Sequence, residues 1–237
     1  MSVEMASSGV EIVEIAPVKK GERTVVLGFS GAGFIGSTAV MYIVRNKGFR
    51  QRAYVSSQLI PPMMVLIDGR PTHSFRIYGD EKNSLLFVTT ETLISYDNQW
   101  PVSLKLMEWL AEKGARAFIS IEGMPFLLPS EERMVLGFGT GEENLSRFGV
   151  QPTREGAISG MNACMLQECM RRGLPWTSLF VPTPLVSAVD YGGSAAVIEV
   201  LNRMFKLGVD VTPLRQMAER RKKTQPRGFL GSLRRKK

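Results

Sequence analysis

The chain has 237 residues, of which 44% are hydrophobic and 22% charged, and this balance is typical of a folded chain long enough to bury one large core. No internal repeat or low-complexity segment interrupts it, which excludes a repeat array. Residues 219–237 hold nine basic residues and one acid, so they carry all of the net charge of +8. Because no linker rich in Pro, Gly or Ser divides residues 25–214, we expect an N-terminal extension (1–22), a single domain (23–218) and a basic tail (219–237).

The first 44 residues decide between a secreted, a membrane and a cytoplasmic protein. Residues 1–22 contain early acids and no apolar core of the signal-peptide type, so we expect a cytoplasmic protein. Residues 24–44 carry no charge and are long enough to cross a bilayer, but four glycines and several hydroxyl groups break the run. A buried strand, a glycine turn and a helix explain this run fully, so we expect no membrane partner.

The glycine turn contains GAGFIG at residues 31–36, which matches the dinucleotide-binding pattern G-x-G-x-x-G between a predicted strand and a predicted helix. A dinucleotide site also needs an Asp or Glu at the end of the second strand, and here that strand runs into Ser56-Ser57-Gln58. Short-chain dehydrogenases also need a Tyr and a Lys on one face of a helix. The candidate pair here is Tyr78 and Lys82, but Gly79-Asp80 between them predicts a turn, so the two side chains would not share a helix face. We therefore interpret the motif as a tight strand-to-helix turn and expect no cofactor.

Further along the chain, apolar runs of strand length alternate with helical patterns, which predicts a mostly parallel sheet covered on both faces. An antiparallel hairpin is expected between residues 63–67 and 74–78, since Asp68-Gly69 suits a tight turn. One helix is expected at 102–113, with Pro101 in its first turn and Leu104 on its core face, and another at 194–207. We interpret the Met and Trp positions in general as core packing. The predicted strands are residues 25–29, 53–56, 85–90, 117–121, 134–138 and 178–181.

Cysteine and histidine provide little reactive chemistry. Cys164 and Cys169 fall in one predicted helix, where five residues rise by about 7.5 Å, beyond the usual reach of a disulfide. We expect two reduced core thiols. His73 is the single histidine, so neither a metal site nor a Cys/His catalytic pair is predicted.

Three acids keep an enzyme open as an alternative. Glu91, Glu122 and Asp190 lie near predicted strand ends, where α/β sheets bind ligands, and a nucleoside- or nucleotide-acting enzyme would need such an acid. Glu122 has no obvious second partner in the sequence. A solvated or helix-capping role is therefore favoured, and no catalytic residue is predicted.

From about residue 23 to 219 the chain resembles the proteasome assembly chaperone family, in the branch named for its second member, which has many archaeal and bacterial relatives. Each block that carries the resemblance is weak alone, but their order and spacing are fairly specific. The blocks are GFSGAGFIGS (28–37), LIPP (59–62) leading into IDGRP (67–71), RIYG (76–79), WLAEKG (109–114), EGAISG (155–160) and AAVIEVL (195–201).

The resemblance implies a three-layer α/β/α fold related to purine nucleoside phosphorylases but without their catalytic residues. It further implies a homo-oligomeric, non-enzymatic chaperone that engages proteasome α-subunits, and it makes the glycine turn an architectural feature. Two departures stand out. Asn162-Ala163 replaces a glycine common in relatives, and the last residues lack the hydrophobic-Tyr-any ending by which proteasome activators dock.

The basic tail is the remaining candidate binding segment. It could anchor the chain to a ribosome or nucleic acid through phosphates, or it could be a tethered docking segment for an acidic partner, with three apolar side chains among its charges. A merely solubilising role is the third alternative. The predicted partner-binding residues are Arg220, Arg221, Lys222, Lys223, Arg227, Phe229, Leu230, Leu233, Arg234, Arg235, Lys236 and Lys237.

Overall fold

The computed structural model describes residues 9–80, 84–126 and 133–224. In chain order the elements are β1 (Val10–Glu14), β2 (Arg23–Phe29), α1 (Ile35–Lys47), β3 (Arg50–Ser57), β4 (Met64–Ile67), β5 (Arg70–His73), β6 (Phe75–Gly79), β7 (Leu85–Thr90), α2 (Tyr96–Glu112), β8 (Ala115–Pro125), β9 (Val135–Gly139), β10 (Val150–Pro152), α3 (Gly160–Arg172), β11 (Trp176–Thr183), α4 (Tyr191–Phe205) and α5 (Thr212–Thr224). A 3-10 turn, Ala32–Phe34, joins β2 to α1.

Among the described residues, nine strands form one sheet, in the order β1-β3-β6-β7-β2-β8-β11-β9-β10. The central strands β7, β2, β8 and β11 are parallel, because the crossovers between them pass through helices. Strands β1, β3 and β6 continue the sheet antiparallel on one side, and β9 pairs antiparallel with β11 on the other.

Helices cover both faces of the sheet, which confirms the three-layer α/β/α fold predicted from the sequence. Successive residues of β2 point to opposite faces. Val26 packs in the core beneath α1, α4 and α5, whereas Val25 and Leu27 pack in the core beneath α2 and α3. Cys164 and Cys169 are free, buried thiols of α3, as predicted.

Two predicted elements need correction. The strand β4 pairs with β5, directly after the Asp68-Gly69 turn, and forms a separate two-stranded sheet, whereas β6 joins the main sheet. Helix α2 begins at Tyr96, so Pro101 lies inside it and not in its first turn. The extra turn is held by side-chain hydrogen bonds, from Asn98 Nδ2 to the Leu59 carbonyl at 2.8 Å and from Gln99 Nε2 to the Ile94 carbonyl at 3.0 Å.

The segment assigned to an N-terminal extension contributes the edge strand β1. Glu14 at its end accepts a hydrogen bond from Trp109 Nε1 at 3.0 Å and forms an ion pair with Lys113, and both partners lie on or just after α2. At the other end of the domain, α5 contains the first residues of the segment assigned to the basic tail.

Candidate functional site

The glycine turn is held by close backbone packing. A Cβ added to Gly36 would lie 2.6 Å from the Ile121 carbonyl oxygen and 2.9 Å from that of Phe29. A Cβ on Gly28 would lie 2.3 Å from the Gly36 carbonyl oxygen. These glycines therefore let α1 approach β2 and β8 closely, which supports an architectural role for the motif.

A cavity of about 340 Å³ opens at the carboxyl ends of β7, β2 and β8, beside this turn. Its walls come from Phe29, Thr90 and Glu122 at the strand ends, from Gln99 of α2 and from Met161 and Asn162 at the start of α3. The α1 and α2 crossovers leave β2 and β7 in opposite directions here, and ligands of open α/β sheets bind at such a point. A larger cavity of about 630 Å³ adjoins it and shares Glu122.

Glu122 is the single charged side chain among the described residues that line the smaller cavity. Burial raises the pKa of its carboxyl from 4.5 to about 7, and hydrogen bonds from the Ser120 hydroxyl and the Asn162 amide offset this rise in part. The cause is desolvation, because no charged neighbour contributes to the shift. Glu122 is thus a half-buried, partly desolvated acid on β8, which differs from the solvated or helix-capping role favoured from the sequence.

A chain of hydrogen bonds reaches Glu122 from the core. Trp176 Nε1 donates to Ser178 Oγ at 2.8 Å, the hydroxyls of Ser178 and Ser120 are 3.0 Å apart, and Ser120 Oγ donates to Glu122 Oε1 at 3.3 Å. An indole N–H can only donate, so Ser178 Oγ accepts from Trp176, and either serine hydroxyl can donate in the pair between Ser178 and Ser120.

The other two acids of the enzyme alternative have structural roles. Glu91 forms an ion pair with the fully buried Arg76. Asp190 is 2% exposed, caps α4 by accepting from the Gly193 N–H at 2.9 Å, and forms an ion pair with Arg133 at 3.0 Å. The three predicted acids are thus not assembled into one site.

An exposed apolar surface borders the cavity. Tyr96, Trp100 and Leu104 follow one another at four-residue spacing on α2 and are 85%, 43% and 38% exposed. Leu93, which also lines the cavity, is 69% exposed. We call these residues, together with Met63, the apolar patch: Met63, Leu93, Tyr96, Trp100 and Leu104.

The β4–β5 hairpin extends this surface. Thr92 Oγ1 lies 3.5 Å from Met63 Sδ, so the chain entering the hairpin lies beside the start of α2. Met64 and Leu66 of β4 are 57% and 70% exposed. Sequence reasoning missed the apolar patch because it interpreted Met, Trp and Leu104 as core residues.

Only part of the predicted tail site falls within the described residues. Arg220 and Arg221 lie on α5, and Arg221 Nη1 donates to the Val189 carbonyl at 2.7 Å. The α5 backbone also includes Lys222 and Lys223. Arg227, Phe229, Leu230, Leu233, Arg234, Arg235, Lys236 and Lys237 lie outside the described residues. Within the described ranges, every helix is too short or too polar to cross a membrane.

Comparison with known proteins gives consistent relatives. An uncharacterized protein of Methanocaldococcus jannaschii is 26% identical over 212 residues, which cover 88% of this chain and 86% of that protein. The crystal structure of Pyrococcus furiosus PbaA, an archaeal homolog of proteasome-assembly chaperone, matches with a TM-score of 0.82 and 29% sequence identity. The match covers 91% of this chain and 89% of the PbaA chain.

Two further solved structures share the fold. A protein with unknown function from Thermoplasma acidophilum is 31% identical, with a TM-score of 0.75, over 86% of this chain and 84% of its own. Pyrococcus furiosus PbaB, an archaeal proteasome activator, is 20% identical, with a TM-score of 0.79, over 91% of this chain and 97% of its own. A family model described as the PAC2 family matches residues 25–225. The resemblance inferred from the sequence is thereby confirmed, and the chain belongs to the PAC2 family.

Proposed function

We propose that this chain is a non-enzymatic assembly chaperone or adaptor that engages proteasome α-subunits and acts as a homo-oligomer in the cytoplasm. The observation that carries the proposal is the apolar patch. Contiguous exposed apolar surface on a soluble domain is a common sign of protein docking. The resemblance to PbaA and the family match support the choice of proteasome subunits as the partner.

A binding role also accounts for the acids better than catalysis does. Glu91 and Asp190 are engaged in ion pairs, and Glu122 stands without a second charged group among the described residues that line the smaller cavity. General acid–base chemistry needs an acid within reach of a positioned reaction partner. The geometry therefore favours a surface that holds another protein.

Replacing Trp100 with Glu should weaken capture of proteasome α-subunits by at least about tenfold, because a charge at the centre of a docked apolar surface must be desolvated. Capture is measured by titrating immobilised α-subunits with the full chain. Met217→Glu is the matched control, since Met217 is 46% exposed on α5, away from the apolar patch, and Trp100 is 43% exposed. Equal capture by Trp100→Glu and the unmodified chain would remove the apolar patch from the proposed interface.

We propose in addition that the basic tail steers the chain to an acidic partner. Deleting residues 225–237 leaves α5 whole, including the Arg221 hydrogen bond to Val189. We expect unchanged thermal unfolding and a slower association rate, with the difference shrinking as salt rises through screening. Stopped-flow association at about 20 and 300 mM salt measures this effect. A truncated chain that associates as fast as the full chain at low salt would leave the tail only a solubilising role, whereas loss of bound RNA alone would point to nucleic acid.

A further inference from the structure

The cavity that contains Glu122 opens beside the surface on which we propose that the partner docks. Leu93 belongs both to the cavity wall and to the apolar patch. Thr92, also in the cavity wall, contacts Met63 of the patch. A side chain projecting from a protein seated on the patch would thus meet the mouth of the cavity.

The polar groups inside the cavity favour a ligand that donates hydrogen bonds. Asn162 is 6% exposed, and its Oδ1 has no hydrogen-bond donor among the described residues. Glu122 offers a second acceptor group, and its Oε1 receives the Ser120 hydroxyl at the long distance of 3.3 Å. A buried acceptor that is left unmet costs free energy, and a ligand that donates hydrogen bonds would recover it.

The charge of the cavity also favours a ligand that donates hydrogen bonds and is not an anion. Glu122 is the one ionisable side chain among the described residues that line the cavity, so an anion would meet only repulsion from it once it ionises. The adjoining larger cavity adds Arg154 and Glu155, one charge of each sign, and both are exposed on the loop after β10. The other walls, from β2, β7, α2 and α3, present Ser30, Thr90, Gln99 and Asn162, which are uncharged.

We propose that this cavity receives the guanidinium group of an arginine side chain from the docked partner, paired with Glu122. This inference rests on the proposed docking function. A guanidinium group carries five N–H donors in a plane and can pair with a carboxylate through two of them. The aliphatic part of the side chain would lie along the apolar wall formed by Phe29, Ile94 and Met161.

An arginine fits this site better than a lysine. The ammonium group of lysine is more strongly hydrated and has three donors. It would therefore lose more hydration on entering a half-apolar cavity and would form fewer hydrogen bonds there than a guanidinium group. Arginine is also among the residues that most often dominate binding energy at protein interfaces. The pair with Glu122 would then act as an anchor next to the apolar contacts of the patch.

The test uses N-acetyl-arginine methylamide as the probe and N-acetyl-citrulline methylamide as its uncharged, nearly isosteric control. Binding is followed on the full chain by NMR, with the side-chain carboxyl carbon of Glu122 as the reporter. We expect the arginine probe to shift this signal at pH 6 to its ionised position, and to bind about tenfold more tightly at pH 8 than at pH 6, because binding requires the ionised carboxyl. The citrulline probe should bind the unmodified chain at least about tenfold more weakly than the arginine probe does. The Glu122→Gln variant should likewise bind the arginine probe at least about tenfold more weakly than the unmodified chain does.

The outcomes separate this inference from the proposed function. Trp100→Glu, which should lose α-subunit capture, should keep the affinity of the arginine probe, since Trp100 does not line the cavity. If the arginine and citrulline probes bind equally, or neither shifts the Glu122 signal, the arginine site is refuted while the docking role of the apolar patch stands. Probe binding that survives Glu122→Gln unchanged would equally refute it.

Discussion

Replacing Arg76 with methionine should lower the free energy of unfolding by about 3 kcal/mol, because it leaves a buried ion-pair network without its cation. The Arg76 side chain is fully buried. Its guanidinium donates to the Tyr78 hydroxyl at 2.8 Å and to the His73 carbonyl, and it forms an ion pair with Glu91. Urea unfolding followed by tryptophan fluorescence measures the change.

Two variants isolate the cause of this loss. Adding Glu91→Gln to Arg76→Met should recover part of the lost stability, because the uncompensated carboxylate is then removed. Lys105→Met is the surface control: the Lys105–Glu108 pair on α2 is about half exposed, and such pairs contribute little. A loss for Arg76→Met no larger than for Lys105→Met would mean that the buried network adds nothing to stability.

Glu122 should make the protein less stable as pH rises. Its pKa is about 7 in the folded chain against 4.5 ordinarily, so between these values the folded state binds more protons than the unfolded state. Stability is therefore highest below about pH 4.5 with respect to this group and falls as pH increases through 7. The expected loss is about 1 kcal/mol at pH 5 and about 3 kcal/mol at pH 8.

Glu122→Gln should remove this pH dependence, since the amide keeps an oxygen acceptor for Ser120 and cannot ionise. Comparing the variant with the unmodified chain at pH 5 and pH 8 cancels the contributions of all other groups. The gap in unfolding free energy should widen by about 2 kcal/mol in favour of the variant at the higher pH. A constant gap would show that the carboxyl is hydrated in the folded protein.

The layered fold was predictable from the sequence because its signals are local. The apolar runs that became β2, β7 and β11, and the glycines around α1, each lie within about ten residues. The hairpin was predicted with the right turn at Asp68-Gly69 but the wrong second strand, because the segment that pairs with β4 is Arg70–His73, whereas Phe75–Gly79 pairs with β3 and β7. Helix α2 was predicted too short because Pro101 is typical of a first turn.

The candidate sites were less accessible to sequence reasoning. The sequence places Glu122 at a strand end, but it does not show how far the carboxyl is buried, nor the hydrogen bonds from Ser120 and from Asn162, forty residues later, that partly offset the effect of burial on its pKa. The apolar patch was not predicted, because periodicity shows which residues share a helix face but not whether another element covers that face. Tyr96, Trp100 and Leu104 have the same spacing as a buried stripe.

The outermost strands of the main sheet, as far as the structure describes the chain, disfavour the addition of a strand from a second copy of this protein. On one side the sheet ends in the five residues of β1, which include two exposed glutamates, Glu11 and Glu14. On the other it ends in the three residues of β10, where Pro152 has no N–H to offer a neighbour. Short, charged or proline-bearing edges resist strand-by-strand addition, the route to fibres. In a crowded solution these edges therefore disfavour the joining of copies into one continuous sheet.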